Sequence, residues 1–302
     1  MSNTVIVVAG PTAVGKTKLA IDLALHFKTE IISADARQVF REMTIGTAKP
    51  SAEELARVPH HFINSHSIHH NFDAAAFADE AMKKIVELFK SHNSVVLCGG
   101  SGLYIKALVE GFDEMPDVKP GVREELNALL EREGIEVLKQ ELALADPQYF
   151  AEVDKQNPQR LVRALEVIRS SAKPYSSFRK KTKKELPFNV VKIGLELPRE
   201  VLYNRIDSRM DAMIAAGLFE EAAQLLPLKN LNALQTVGYQ EIFDFMEGKY
   251  DRDEAIRLLK RNTRHYAKRQ MTWFKKDPAI RWFNPNDFTS IIQYIQEKSS
   301  IL

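Results

Sequence analysis

One octapeptide near the start of the chain constrains the fold more than any other feature. Gly10-Pro11-Thr12-Ala13-Val14-Gly15-Lys16-Thr17 satisfies the pattern G-x-x-x-x-G-K-[ST]. It follows Thr4 to Ala9, a continuous apolar run rich in β-branched residues, of the kind buried on both faces of a parallel sheet. It opens a segment, Lys16 to Phe27, whose apolar residues Ala20, Leu23, Ala24 and Phe27 recur at helical spacing. Strand, glycine loop and helix in that order predict a phosphate cradle. Backbone N–H groups turn toward phosphate oxygens at a helix N-terminus, Lys16 adds a point charge, and the Thr17 hydroxyl can ligate Mg²⁺. The plainer alternative is a glycine turn joining two elements; the flanking strand and helix weigh against it.

Further strands are expected at Glu30 to Ala34, ending on Asp35, and at Ser94 to Cys98, ending on Gly99-Gly100. The amphipathic stretch Ala74 to Lys90 lies between them. Alternating strands and helices predict an α/β fold with a doubly wound parallel sheet of the P-loop NTPase type, binding ligands at the carboxyl ends of its strands. From Pro120 to about Lys184 the chain reads as charged helices without a convincing strand. Val190 to Leu197 then returns as a strand, and the remainder reads as helical. The expected organisation is a first core part at 1–114, a helical insertion domain at 115–186, and a completing part with a helical C-terminal region at 187–302.

Composition sets limits. The 302 residues suffice for one large α/β domain with an insertion, and the 45% hydrophobic content includes no apolar run near the length of a membrane span. The N-terminus lacks the features of a signal peptide, so a cytoplasmic location is expected. The single cysteine, Cys98, excludes an internal disulfide and a multi-cysteine zinc site.

A phosphate loop names a ligand group and leaves the reaction open. An ATPase or GTPase would place a metal-holding carboxylate at the end of a further apolar strand, whereas here that strand runs into Cys98-Gly99-Gly100-Ser101-Gly102. Asp35 ends the second strand at the same sheet edge as the loop. It reads equally as a general base and as a cap or turn residue.

Between Arg257 and Lys276 the sequence has Arg257, Lys260, Arg261, Arg264, Lys268, Arg269, Lys275 and Lys276 with no acid among them. Helical spacing gathers Arg257, Arg261, Arg264, Lys268 and Lys275 into one stripe. Leu259, Tyr266 and Trp273 fall opposite, as anchors to the core. An uncompensated stripe, with a second basic run at Arg179 to Lys184, favours a polyanion over a merely solvated face. The histidines His60, His61, His66, His69 and His70 read as a polar loop rather than a metal site.

Taken in order, these motifs resemble the tRNA dimethylallyltransferase family. The resemblance runs nearly end to end through Gly10–Thr17, Ser33-Ala34-Asp35, Ile45-Gly46-Thr47-Ala48-Lys49-Pro50, Gly99–Tyr104, Asn157-Pro158-Gln159-Arg160 to Glu166, Val237-Gly238-Tyr239 and Ala267-Lys268-Arg269-Gln270. It implies Mg²⁺-assisted transfer of a dimethylallyl group from dimethylallyl diphosphate to N6 of the adenosine 3′ of a tRNA anticodon. It also implies Asp35 as general base, and Thr12, Lys16, Thr17 and Arg209 around the diphosphate. The segments it assigns to tRNA are Asp35-Ala36-Arg37-Gln38, Ser101, Arg123, Gln159-Arg160-Leu161-Val162-Arg163, Gln235-Thr236-Val237-Gly238-Tyr239-Gln240 and Lys268-Arg269-Gln270-Met271-Thr272-Trp273-Phe274-Lys275. A monomer is expected. Two positions depart from the family pattern: Ala36 stands where Ser is common, so a tRNA contact there is expected only through its backbone. Ser101 replaces the commoner Thr and keeps the hydroxyl. The rival readings are a prenyltransferase acting on free AMP or ATP, a small-molecule P-loop kinase, and an RNA-binding module with a vestigial loop.

Overall fold

The computed structural model describes residues 3–180 and 185–301; Lys181 to Lys184 of the second basic run lie outside the described residues. The chain divides into two compact units, Met1–Glu110 with Glu185–Leu302, and Gly111–Lys184. Against the expected boundaries, the first crossing comes four residues earlier and the return two.

The first unit begins with β1 (Thr4–Ala9), α1 (Lys16–Phe27), β2 (Ile31–Ser33), α2 (Ala52–Arg57) and β3 (His60–His61). It continues with α3 (Ala74–Leu88), β4 (Ser94–Gly99) and α4 (Gly102–Glu110). The second unit holds α5 (Val122–Glu133), α6 (Ile135–Ala145), α7 (Pro147–Glu152) and α8 (Pro158–Ser171). The first unit resumes with β5 (Asn189–Leu195), α9 (Arg199–Ala215), α10 (Leu218–Leu225), α11 (Gln240–Met246), α12 (Arg252–Phe274), β6 (Arg281–Phe283) and α13 (Phe288–Ile301).

Six parallel strands form one sheet in the order β3-β2-β4-β1-β5-β6. β1 lies inside it, in register with Ser94–Gly99 on one side and Asn189–Gly194 on the other. Its unbroken apolar sequence follows from that position. Val5, Val7 and Ala9 enter the core on one face of the sheet, and Ile6 and Val8 enter the core on the other. The loop after β1 therefore opens at the carboxyl edge, between neighbours that also end there.

Two strands depart from expectation. Arg281–Phe283 pairs with Ile193–Leu195 inside a region expected to be helical, and His60–His61 extends the opposite edge inside the expected polar loop. Both have only two or three residues, too few for a periodicity signal. His61 is fixed by its Nε2, 2.6 Å from Glu30 Oε2.

The second unit has its own core of Leu126, Leu138, Leu142, Leu161, Leu165 and neighbours. Its Asn157-Pro158 motif is a helix start. The Asn157 side chain accepts from the Arg160 N–H, and Pro158 takes the first helical position, where no N–H is needed.

Candidate active site

The carboxyl edge of the sheet opens into a cavity of about 800 Å³. Thr12, Ala13, Gly15 to Thr17, Ser33, Asp35, Cys98 to Gly100, Arg205, Arg209, Tyr266 and Gln270 are among the residues lining it. The loop forms because Gly10, with φ 148°, packs so closely that a Cβ there would come within 2.9 Å of the Leu195 carbonyl, and because Gly15, at φ 110°, launches α1. Lys16 lies along the loop, its Nζ donating to the Pro11 carbonyl at 2.7 Å. Burial pushes this ammonium down to about 8, and Arg209 adds to the fall while Asp35 opposes it. An anion entering the loop would restore what burial has taken away.

Two arginines one turn apart on α9 reach the same loop. Arg209 donates through Nη1 to Thr12 Oγ1 at 3.5 Å and through Nη2 to the Ala48 carbonyl at 3.0 Å; Arg205 Nη1 reaches the Val14 carbonyl at 3.4 Å. Neither makes an ion pair with a carboxylate among the described residues. The motif reading found Arg209 and missed Arg205, which only the i,i+4 spacing could have flagged.

Asp35 stands at the end of β2. Its Oδ1 accepts from the backbone N–H groups of Arg37 (2.9 Å) and Gln38 (3.2 Å), leaving Oδ2 without a partner among the described residues. The two sequence readings thus meet in one residue: one oxygen shapes the turn, and the other is available to a proton donor. The Ser101 hydroxyl accepts from the Ala36 N–H at 2.9 Å, which ties the Asp35 turn to the glycine run after β4 through Ala36's backbone. Tyr266, on the cavity wall, remains a protonated phenol. Burial and then Asp35 push it up to about 12.

α12 closes this side through Gln270, which sequence reasoning assigned to tRNA. Its side chain accepts from the Thr12 N–H at 2.9 Å and donates to the Gly100 carbonyl at 2.9 Å. The glycines of Gly99-Gly100-Ser101-Gly102 permit this approach. A Cβ at Gly100 would lie 2.4 Å from Gln270 Nε2, and one at Gly102 would lie 2.2 Å from the Trp273 indole. The sequence that replaces the expected metal carboxylate is therefore a docking groove for α12.

The structure corrects several expectations. The side chains of Leu161, Val162, Tyr239 and Phe274 are buried, so they support the surface and do not form it, and that of Gln270, nearly as buried, is engaged by Thr12 and Gly100 at the cavity wall. Tyr266 and Trp273, expected as core anchors, are 36% and 39% exposed, whereas Leu259 is buried. Three of the five stripe cations are compensated: Arg257 pairs with Glu254 (2.6 Å), Arg264 with Asp207 (2.6 Å) and Lys275 with Glu196 (2.8 Å), and Lys260, outside the stripe, pairs with Asp211 (2.6 Å). These acids all fall outside residues 257–276: Glu254 lies just upstream, and the other partners come from β5's end and α9. The cations left without an ion pair among the described residues include Lys268, Arg269 and Lys276. They share a cleft of about 510 Å³ with His265, Thr272 and Trp273.

The sequence profile of the IPP transferase family matches residues 38–277. The chain belongs to that family. It is 53% identical, over 99% of its length and 98% of the relative's, to a tRNA dimethylallyltransferase of Cytophaga hutchinsonii, and 50% identical over 99% of both chains to one of Christiangramia forsetii. Among solved structures it is similar to a tRNA isopentenylpyrophosphate transferase of Bacillus halodurans (TM-score 0.73, 36% identity, 99% of both chains). It is also similar to a eukaryotic dimethylallyltransferase described as acting on tRNA (TM-score 0.76, 26% identity, 99% of this chain and 78% of that one). The P-loop lies upstream of the profile match, and the full-length relatives carry the family likeness across it.

Proposed function

We propose that this chain transfers a dimethylallyl group from dimethylallyl diphosphate to N6 of the adenosine 3′-adjacent to the anticodon in tRNA. The observation that carries the reading is the shared cavity: Asp35, with a free carboxylate oxygen, opens into the same space as a phosphate loop flanked by two arginines without carboxylate partners. The family membership points the same way.

In the reaction the allylic C–O bond breaks as the C–N6 bond forms, the diphosphate leaves with the electron pair, and the N6 proton passes to Asp35. The loop N–H groups, Lys16, Arg209 and Arg205 hold the charge that collects on the leaving group in a site already organised for it. Thr17 supplies a hydroxyl at the head of α1, and no cluster of three or more His, Cys, Asp or Glu metal ligands occurs among the described residues. A single hard oxygen donor fits Mg²⁺, which keeps waters and takes substrate phosphates as its other ligands. When bound, the ion would offset part of the diphosphate charge.

The target base must leave its stack to reach the cavity, which suits a loop nucleotide. Asp35 to Gln38, Ser101 and Thr236 to Gly238 would surround it, with Lys268, Arg269 and Lys276 on the neighbouring phosphates; Arg123, Gln159, Arg160 and Arg163 of the helical unit are further tRNA contacts in this reading. No helix among the described residues is long and apolar enough to cross a membrane. A monomer in the cytoplasm completes the reading.

Dimethylallyl diphosphate supplied with unmodified tRNA, AMP or ATP in parallel tests it. Prenyl transfer is expected on tRNA alone. Transfer to AMP only, or loss of the ATP γ-phosphate to a small acceptor, would overturn it.

A further inference from the structure

The segment 43–50, between β2 and α2, has no regular structure of its own and yet fixes two cavity side chains. The Ala48 carbonyl accepts from Arg209 Nη2 at 3.0 Å and from Gln38 Nε2 at 3.2 Å, and the Thr47 carbonyl accepts from Gln38 Nε2 at 3.2 Å. Ala48 sits at φ 48°, a left-handed conformation that its Cβ disfavours, so contacts from elsewhere must hold it.

Glu221 of α10 makes those contacts. Its Oε2 accepts from the N–H groups of Thr44 (2.9 Å) and Ile45 (2.8 Å), and its Oε1 accepts from the Gly46 N–H (2.8 Å) and the Tyr239 hydroxyl (2.6 Å). Successive N–H groups make a concave anion site, and here a carboxylate of the chain itself fills it. Tyr239 is fully buried, and its ring lies so close to Gly46 that a Cβ there would come within 2.4 Å. Its phenol stays a donor, raised by burial and then by the Glu221 hydrogen bond.

We propose that Glu221 is a positioning residue for diphosphate capture. Acting through segment 43–50, it fixes the Ala48 carbonyl that sets the Arg209 guanidinium beside Thr12. Nothing in the sequence of α10, Leu-Phe-Glu-Glu-Ala-Ala-Gln-Leu, separates Glu221 from Glu220. The inference rests on the diphosphate reading of the cavity and adds to it a residue that touches no substrate.

A brace of this kind and a mere contribution to folding give different results in a double-mutant cycle read by binding of inorganic diphosphate in the presence of Mg²⁺. This readout requires neither tRNA nor transfer. In Glu221→Gln the amide must turn its NH₂ toward at least one backbone N–H of the nest. The dissociation constant of the full chain should then rise about tenfold, and Glu221→Gln placed on Arg209→Ala should add less than about twofold, because the route through Arg209 is already cut. Equal weakening in both backgrounds, or none, overturns the proposal. If Glu221→Gln fails to fold by circular dichroism, Tyr239→Phe takes its place in the same cycle. It removes one of the four donors and is expected to weaken binding about threefold only where Arg209 is present. A wild-type chain that binds no diphosphate overturns the reading of the cavity and the brace with it.

Discussion

Arginines of the helical unit and arginines at the phosphate loop are used in opposite ways. In the helical unit most are matched: Arg123 forks onto Glu166 at 2.6 and 2.7 Å, Arg163 joins the same carboxylate, Arg169 forks onto Glu141, and Arg179 meets Glu152 at 2.9 Å. In the α/β unit Arg205 and Arg209 bond only to carbonyls and a hydroxyl. Their positive charge is not cancelled by the fold, and burial holds Arg209 below its usual value. Matched arginines stabilise a framework, even where Arg123 and Arg163 keep an exposed edge for the proposed tRNA contact, whereas unmatched ones await an anion.

The contrast is broken most severely at the carboxylate that faces the unmatched arginines. Asp35→Ala should lower kcat for prenyl transfer by about 10²–10⁴-fold, with tRNA affinity nearly intact. A large fall in tRNA affinity with preserved turnover would reject Asp35 as the base. Arg209→Ala should lower kcat/KM for dimethylallyl diphosphate by about 10²-fold, with little change in melting temperature because the arginine has no ion pair to lose.

Glu166→Gln should do the reverse. Turnover at saturating substrates should hold while stability falls by about 1–3 kcal/mol, toward the low end because both arginines reach water. Burial works against the Glu166 charge, but Arg123 and Arg163 outweigh it and hold the carboxyl below its usual 4.5. Its stabilisation is therefore present above that value and lost as pH falls through the lower folded one. The variant should flatten the acid limb of the stability curve, and an unchanged limb would deny the arginines their structural role.

Lys16 sharpens the comparison by titration. Its ammonium, near 8 in the free enzyme, is charged below that pH and neutral above it. Inorganic diphosphate should bind more weakly as pH rises through 8, by at most about tenfold per unit, and Lys16→Arg should remove the dependence. The smallest effect concerns tRNA and salt. Reversing Lys268 and Lys276 should reduce the slope of log K against log[salt] by about 0.7 for each phosphate no longer neutralised. Reversing Arg264, already paired with Asp207, should change it less.

Much of the sheet could be read from the chain because its inner strands write their burial into consecutive residues. β1 was expected at its observed limits, and β4 to within one residue of its end. β3 and β6 were not, since edge strands of two or three residues carry no period. The basic stripe was misjudged for a different reason. Whether Arg264 or Lys275 faces an acid depends on α9 and the end of β5, 57 or more residues away, and no local window contains them.

The sequence by itself determined the phosphate loop, because a strand, two glycines, a lysine and a threonine at fixed spacing already specify a turn of N–H groups at a helix start. It also placed Asp35 at the matching sheet edge. Only the tertiary structure decided which cations are free, that Gln270 ties the loop to the glycine run after β4, and that Glu221 holds the segment behind Arg209. These are facts of pairing between distant segments. Charge and hydrogen-bonding capacity can be read from a residue, but whether a neighbour has already satisfied them cannot.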